Sequence, residues 1–270
     1  MGRRRNNYAP QGRRRIPRGV EGVIIRKSPA EIELIAEAGR VLRACLDMLT
    51  EAAQPGVSTK ELDRMAESFI RDRGGVPTFK GYRGFPASIC ASPNDMVVHG
   101  IPGATKLKEG DILGIDCGVT LKDYVADAAV SVGIGSVSAK AQALMDVTRR
   151  SLELAIEQCR VGNRVGDISH AVQTHAEAHS YSVVRTLVGH GVGRQMHEDP
   201  QVPNFGPAGH GPRLLEGMVL AIEPMVNIGG PDVEVGPDNW AVYTADGSLS
   251  AHFEHTVAIT ADGPRVLTVC

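Results

Sequence analysis

No apolar run in the chain approaches the roughly 18 residues that a membrane helix needs. Its arginine-rich start has no apolar segment behind it, as a secretory leader would require, so a soluble, unexported, cytoplasmic protein is expected. Cysteine is sparse: Cys45, Cys90, Cys117, Cys159 and Cys270 are odd in number, widely spaced and without a Cys-x-x-Cys pair. That excludes a disulfide framework and a zinc knuckle and points to reduced thiols, with Cys45 and Cys159 as small apolar residues on helix faces. Acidic residues are missing before Glu21, whereas seven arginines (3, 4, 5, 13, 14, 15 and 18) stand there among Asn, Gln, Gly and Pro.

Removing those seven charges leaves 22 basic against 31 acidic residues in the remainder of the chain. Residues 1–20 thus read as a basic, disordered arm on an acidic body, suited by charge to meet polyanionic RNA such as that of the ribosome. The body, residues 21–270, has the length and apolar content (42% over the whole chain) to bury one large core.

Within that body the sequence repeats itself. Lys108-Glu-Gly-Asp-Ile-Leu-Gly-Ile-Asp116 returns as Leu215-Glu-Gly-Met-Val-Leu-Ala-Ile-Glu223, an offset of 107, and Asp127-Ala-Ala-Val130-Ser-Val132 returns as Glu254-His-Thr-Val257-Ala-Ile259. Upstream, Gly56-Val-Ser58-Thr-Lys-Glu61-Leu62 resembles Gly162-Asn-Arg-Val-Gly166-Asp167-Ile168 at an offset of 106. A period this long fits two fused copies of one helix-helix-strand-strand unit, about 28–135 and 138–262, rather than a solenoid.

Local signals place the elements. Ser28-Pro29-Ala30-Glu31 is a capping box opening a helix with Ile35, Leu42, Leu46 and Leu49 on its apolar face, ended by Pro55-Gly56. A second helix is expected over 59–73, stopped by Gly74-Gly75, with duplicates over 139–160 and 167–180. His170, His175 and His179 spread around the last of these and are assigned to a solvated face. Gly/Pro-rich stretches at 74–102 and 188–212 carry His99, His190 and His197, where loops on a rigid scaffold present substrate contacts.

Strands over 112–118 and 126–132 would form an antiparallel hairpin across 120–124, one register of which turns Asp116 and Asp127 to the same face. The repeat predicts the same arrangement for Glu223 and Glu254. A lone aspartate at a strand end is ordinarily a turn residue, but four acids at equivalent positions of two apolar repeats would repel one another unless cations neutralise them. With His190 they suggest a pair of divalent metals and hence a dinuclear metallohydrolase.

At these residues the chain resembles the type I methionine aminopeptidases. The likeness rests on Ser88-Ile-Cys90-Ala-Ser-Pro-Asn94, Val98-His99-Gly-Ile-Pro102, Ile115-Asp116, Asp127, Gly189-His190-Gly-Val-Gly193, His197-Glu-Asp-Pro-Gln201, Ile222-Glu223-Pro224-Met225 and Ser248-Leu-Ser-Ala-His-Phe-Glu254-His255-Thr256. It implies the α/β (α+β) pita-bread fold, two helix-helix-strand-strand repeats around a curved antiparallel sheet. It also implies metal ligands Asp116, Asp127, His190, Glu223 and Glu254, with Asp127 and Glu254 shared by two ions. One imidazole among carboxylates suits Mn, Fe, Co or Zn without choosing among them.

The same resemblance implies catalytic roles for Glu223 in proton transfer and for His99 and His197 as contacts to the substrate amide and carbonyl. It implies a methionine pocket from Tyr82, Phe85, Cys90 and Trp240, with Cys90 as a polarizable wall. The expected activity is removal of the initiator methionine from nascent chains whose second residue is small, by a monomer. Val125-Ala126, Met196 and Phe85 depart from the commonest pattern of the family without removing a ligand. Xaa-Pro peptidases, which share the metal scaffold, are the alternative enzyme reading, and a non-catalytic binding protein on the same fold is the alternative from another class.

Overall fold

The computed structural model describes residues 23–269. The expected basic arm, residues 1–20, lies outside them, as does Cys270. Helix α1 (Pro29–Ala52) opens with the capping box read from the sequence: the Ser28 side chain accepts from the Glu31 N–H, and the Ser28 N–H donates to Glu31 Oε2 at 2.8 Å. Ile35, Leu42, Leu46 and Leu49 are fully buried, so the apolar stripe faces the core. Helix α2 (Thr59–Asp72) repeats the device with Ser58 and Glu61 and buries Leu62, Ala66 and Ile70.

The duplicate helices are α3 (Ala139–Glu157) and α4 (Val165–Ala178). Two boundaries correct the sequence reading. Helix α3 stops at Glu157 rather than 160, leaving Cys159 beyond it though still buried. Helix α4 starts two residues before Asp167, because that acid belongs inside the first turn, where Oδ2 accepts the Arg164 N–H at 2.7 Å. His170 and His179 are exposed and His175 half-buried.

The duplication extends to single hydrogen bonds. Gly56, at φ +90°, donates to the Leu107 carbonyl, and Gly162, at φ +95°, donates to that of Leu214. The return bonds run from Leu107 N to Val57 O and from Leu214 N to Asn163 O. Each copy thereby ties the loop before its second helix to the segment that precedes its central strand.

A four-stranded sheet centres on the Ile112–Leu121 strand, paired with Tyr124–Gly133, Val76–Pro77 and Ile89–Pro93. A five-stranded sheet runs in the order Gly263–Val266, His255–Thr260, Val219–Ile222, Val188–Gly191, Glu198–Pro203. Every pairing between these named strands is antiparallel. An isolated bridge between Ala129 and Glu254 joins the two sheets at the centre of the molecule. Helices α1 and α2 pack their apolar residues on the first sheet, while α3 and α4 pack against strands of the five-stranded sheet and of the small sheet that includes Ser250–His252, giving two buried clusters.

The first hairpin is longer and tighter than expected: its strands reach Leu121 and resume at Tyr124, with Lys122 and Asp123 at positive φ in the turn. Asp116 therefore lies inside a strand rather than at its end. The second pair is not a hairpin. Val219–Ile222 and His255–Thr260 are adjacent, but residues 223–254 between them build strands of two further small sheets. Among the described residues no helix is long and apolar enough to cross a membrane.

Candidate active site

Register brings the first two acids together. Asp116 pairs with Ala129 and Gly118 with Asp127, and cross-strand partners share a face, so Asp116 and Asp127 are diagonal neighbours on one face. Glu254 arrives through its bridge to Ala129. Glu223 follows Ile222, whose partner is His255, and so lies across the strand pair from Glu254. His190 pairs with Ala221 on the neighbouring strand, which completes the group.

The five side chains converge. His190 Nε2 lies 3.6 Å from Glu223 Oε1 and 3.9 Å from Asp127 Oδ2. Ligand atoms of Asp127, His190 and Glu254, all buried, lie within 4.8 Å of one another. Asp116 Oδ1, Asp127 Oδ1 and Glu254 Oε1 are buried without a hydrogen-bond partner. Burial and mutual repulsion push the carboxyls of Asp116, Glu223 and Glu254 well above the usual range, and burial pushes Asp127 up to about 7.

A buried carboxylate oxygen without a donor costs several kcal/mol, so a protein that gathers three of them needs a compensating charge. Hard divalent cations supply it, and the donor set of carboxylate oxygens and one imidazole suits them. The imidazole is prepared for this: Nδ1 lies 2.9 Å from the Gly191 carbonyl, an acceptor only, which places the ring proton on Nδ1 and leaves the Nε2 lone pair towards Asp127 and Glu223. The residues present therefore fit a metal centre.

Beside this cluster lies a cavity of ≈ 140 Å³ bordered by Asp116, His99, Cys90, Phe85, Trp240 and other residues. Its wall is aromatic, with Phe85 edge-on to Trp240 at 5.1 Å. Cys90 is buried, and its thiol is pushed well above its ordinary value by burial and by Asp116, as expected of a wall rather than a nucleophile. His99 sits at φ +60° and is held below its ordinary value by burial. His197 stacks against Tyr82, lies 4.2 Å from the His190 ring, and is pushed down to about 4 by desolvation first and then by His190, the Arg83 guanidinium and His99.

All the residues expected at the site thus meet in one place. Sequence reasoning missed two neighbours. Phe79 completes the cavity wall and packs on Phe85. His252 Nε2 is buried without a partner, and burial together with His99 pushes this imidazole down to about 3. Neither has a local signature; the repeat with its short apolar contexts marks only the acids.

A buried cluster of acids and one imidazole, set where two duplicated halves meet and beside an apolar cavity, defines a hydrolytic metal centre on the pita-bread fold. The family model described as metallopeptidase family M24 matches residues 33–261, and the chain belongs to that family. It is 52% identical over 247 residues to the methionine aminopeptidase of Clostridium perfringens, covering 92% of this chain and 99% of that one. The crystal structure of methionine aminopeptidase from Rickettsia prowazekii superposes with a TM-score of 0.90 at 40% identity, covering 92% of this chain and all of that chain. The prolidase of Pyrococcus horikoshii, 21% identical with a TM-score of 0.74, shares the fold alone.

Proposed function

We propose that this chain is a metal-dependent aminopeptidase that removes the initiator methionine from nascent proteins whose second residue is small. The observation that carries the reading is the set of three buried, partnerless carboxylate oxygens beside an imidazole whose free Nε2 lone pair faces the carboxylates of Asp127 and Glu223. Two divalent cations would be held by Asp116, Asp127, His190, Glu223 and Glu254. When bound, such ions supply electrophilic activation of a water and of the scissile carbonyl.

The chain's own residues do the rest. Glu223, its carboxylate 3.6 Å from His190 Nε2 and 14% exposed, takes the proton released from the water and returns it to the leaving amine. His99, held low by desolvation, and His197, exposed at the mouth of the site and held low also by the nearby Arg83 guanidinium, bind the substrate amide and donate to the carbonyl oxygen as negative charge develops there. Tyr82, Phe85, Cys90 and Trp240 flank the methionine side chain in a cavity of ≈ 140 Å³ with a largely aromatic wall.

In this reading residues 21–270 act as one catalytic domain, as a monomer in the cytoplasm, and the seven arginines of residues 1–20 attach it to ribosomal RNA. Loss of salt-sensitive ribosome binding on deletion of residues 1–18 tests the arm. Release of methionine from Met-Ala-Ser, with none of the first residue from Ala-Pro peptides, tests the activity. The opposite preference would make the chain an Xaa-Pro peptidase.

A further inference from the structure

We propose that Tyr82 is a positioning residue that holds His197 in its Nε2–H tautomer, so that His197 presents a donor to the scissile carbonyl. The proposal rests on the aminopeptidase reading of the site and goes beyond the part of pocket wall that the sequence gives Tyr82. Its basis is the 2.9 Å hydrogen bond between the Tyr82 hydroxyl and His197 Nδ1, formed between rings stacked at 5.4 Å and 21°.

The direction of that bond follows from the chemistry of its ends. A phenol donates well and accepts poorly, because its oxygen lone pair is delocalised into the ring, whereas an unprotonated imidazole nitrogen is a strong acceptor. Tyr82 therefore donates to Nδ1, and the single proton of the neutral imidazole resides on Nε2. The Arg83 guanidinium, 5.3 Å from the Tyr82 ring centre, adds positive charge nearby and opposes a doubly protonated ring.

The neighbouring histidine is set the other way. His190, with its ring centre 4.2 Å from that of His197, gives its Nδ1 proton to the Gly191 carbonyl and keeps the Nε2 lone pair free. Two adjacent imidazoles thus carry opposite tautomers: one offers an electron pair to a cation, the other an N–H to an oxyanion. Reversing His197 would aim a lone pair at the carbonyl oxygen and convert attraction into repulsion just as charge builds there.

Tyr82→Phe keeps the stacked ring and removes only the hydroxyl. Two-bond 1H–15N correlation spectra of the zinc-loaded, 15N-histidine-labelled protein, with His197 assigned through His197→Gln, read the tautomer directly. The expected result is Nε2–H in the wild type and a shift towards mixed tautomers in Tyr82→Phe. With it, kcat on Met-Ala-Ser falls about tenfold and KM changes less than about twofold, as when a transition-state donor is weakened. A wild-type Nδ1–H tautomer, or an unchanged tautomer in Tyr82→Phe, overturns the proposal. A wild-type Nε2–H tautomer in a protein that releases no methionine overturns the aminopeptidase reading instead.

Discussion

Ala129 and Glu254 exchange both backbone hydrogen bonds, with N···O distances of 3.3 and 2.9 Å, across the seam between the two halves of the molecule. Two residues along, the pairing continues through a side chain: Thr256 Oγ1 accepts from the Asp127 N–H at 3.0 Å and donates to the Asp127 carbonyl at 2.7 Å. The repeat aligns Asp127 with Glu254 and Ala129 with Thr256, so the two contacts are symmetry mates. Each half thereby fixes the backbone of the other half's acid.

Thr256→Val is nearly isosteric and removes both side-chain bonds, leaving a buried N–H and carbonyl of Asp127 without partners. It should cost about 2–4 kcal/mol of stability in urea unfolding and weaken metal binding in parallel, because Asp127 is no longer held. Stability within about 0.5 kcal/mol of the wild type would show that the seam does not depend on this hydroxyl.

Lys27 Nζ lies 2.5 Å from Glu198 Oε2, and both side chains are at most 5% exposed. This buried ion pair pins the segment before α1 to the strand beginning just after His197. Lys27→Met strands the carboxylate and should destabilise by about 3–5 kcal/mol, with the double variant Lys27→Met, Glu198→Gln recovering much of it. Additive losses in a double-mutant cycle would contradict the coupling.

Metal removal should loosen the whole molecule, since the acids at the seam then repel. With free zinc at about 100 times its dissociation constant, the loaded protein should exceed the chelated one by about 2.7 kcal/mol for each ion held. Equal urea midpoints with and without chelator would argue against a cation in the cluster.

Glu31 predicts a pH dependence remote from the site. Its carboxylate accepts the Ser28 N–H, the Tyr124 hydroxyl and the Ser28 hydroxyl, which hold it down from 4.5 to about 2. A carboxyl with a depressed folded pKa binds fewer protons folded than unfolded, so its stabilisation is present above about pH 4.5 and lost as pH falls towards 2. The stability gap between wild type and Glu31→Gln should close across that window; a gap constant with pH would contradict it.

What the sequence made legible was local or repeated. The Ser28 and Glu31 cap needs only its own four residues, and the burial of Leu42 and Leu46 follows from helical period. Asp116 and Asp127 could be paired because a hairpin sets their register nearby. The Arg164 start of α4 was obscured because an arginine is no usual cap. Nothing local said that residues 223–254 would form separate sheets between the strands flanking Glu223 and Glu254. Phe79, His252 and the Tyr82–His197 bond depend on segments distant in sequence, for which no spacing rule exists.

The most direct test of the metal centre is methionine release from Met-Ala-Ser by metal-stripped protein titrated with Mn, Co, Fe and Zn, with Asp127→Ala alongside. Release should appear only with metal and be lost in Asp127→Ala. Tight metal binding without release under any of the four ions would contradict it and leave a non-catalytic protein on the same fold.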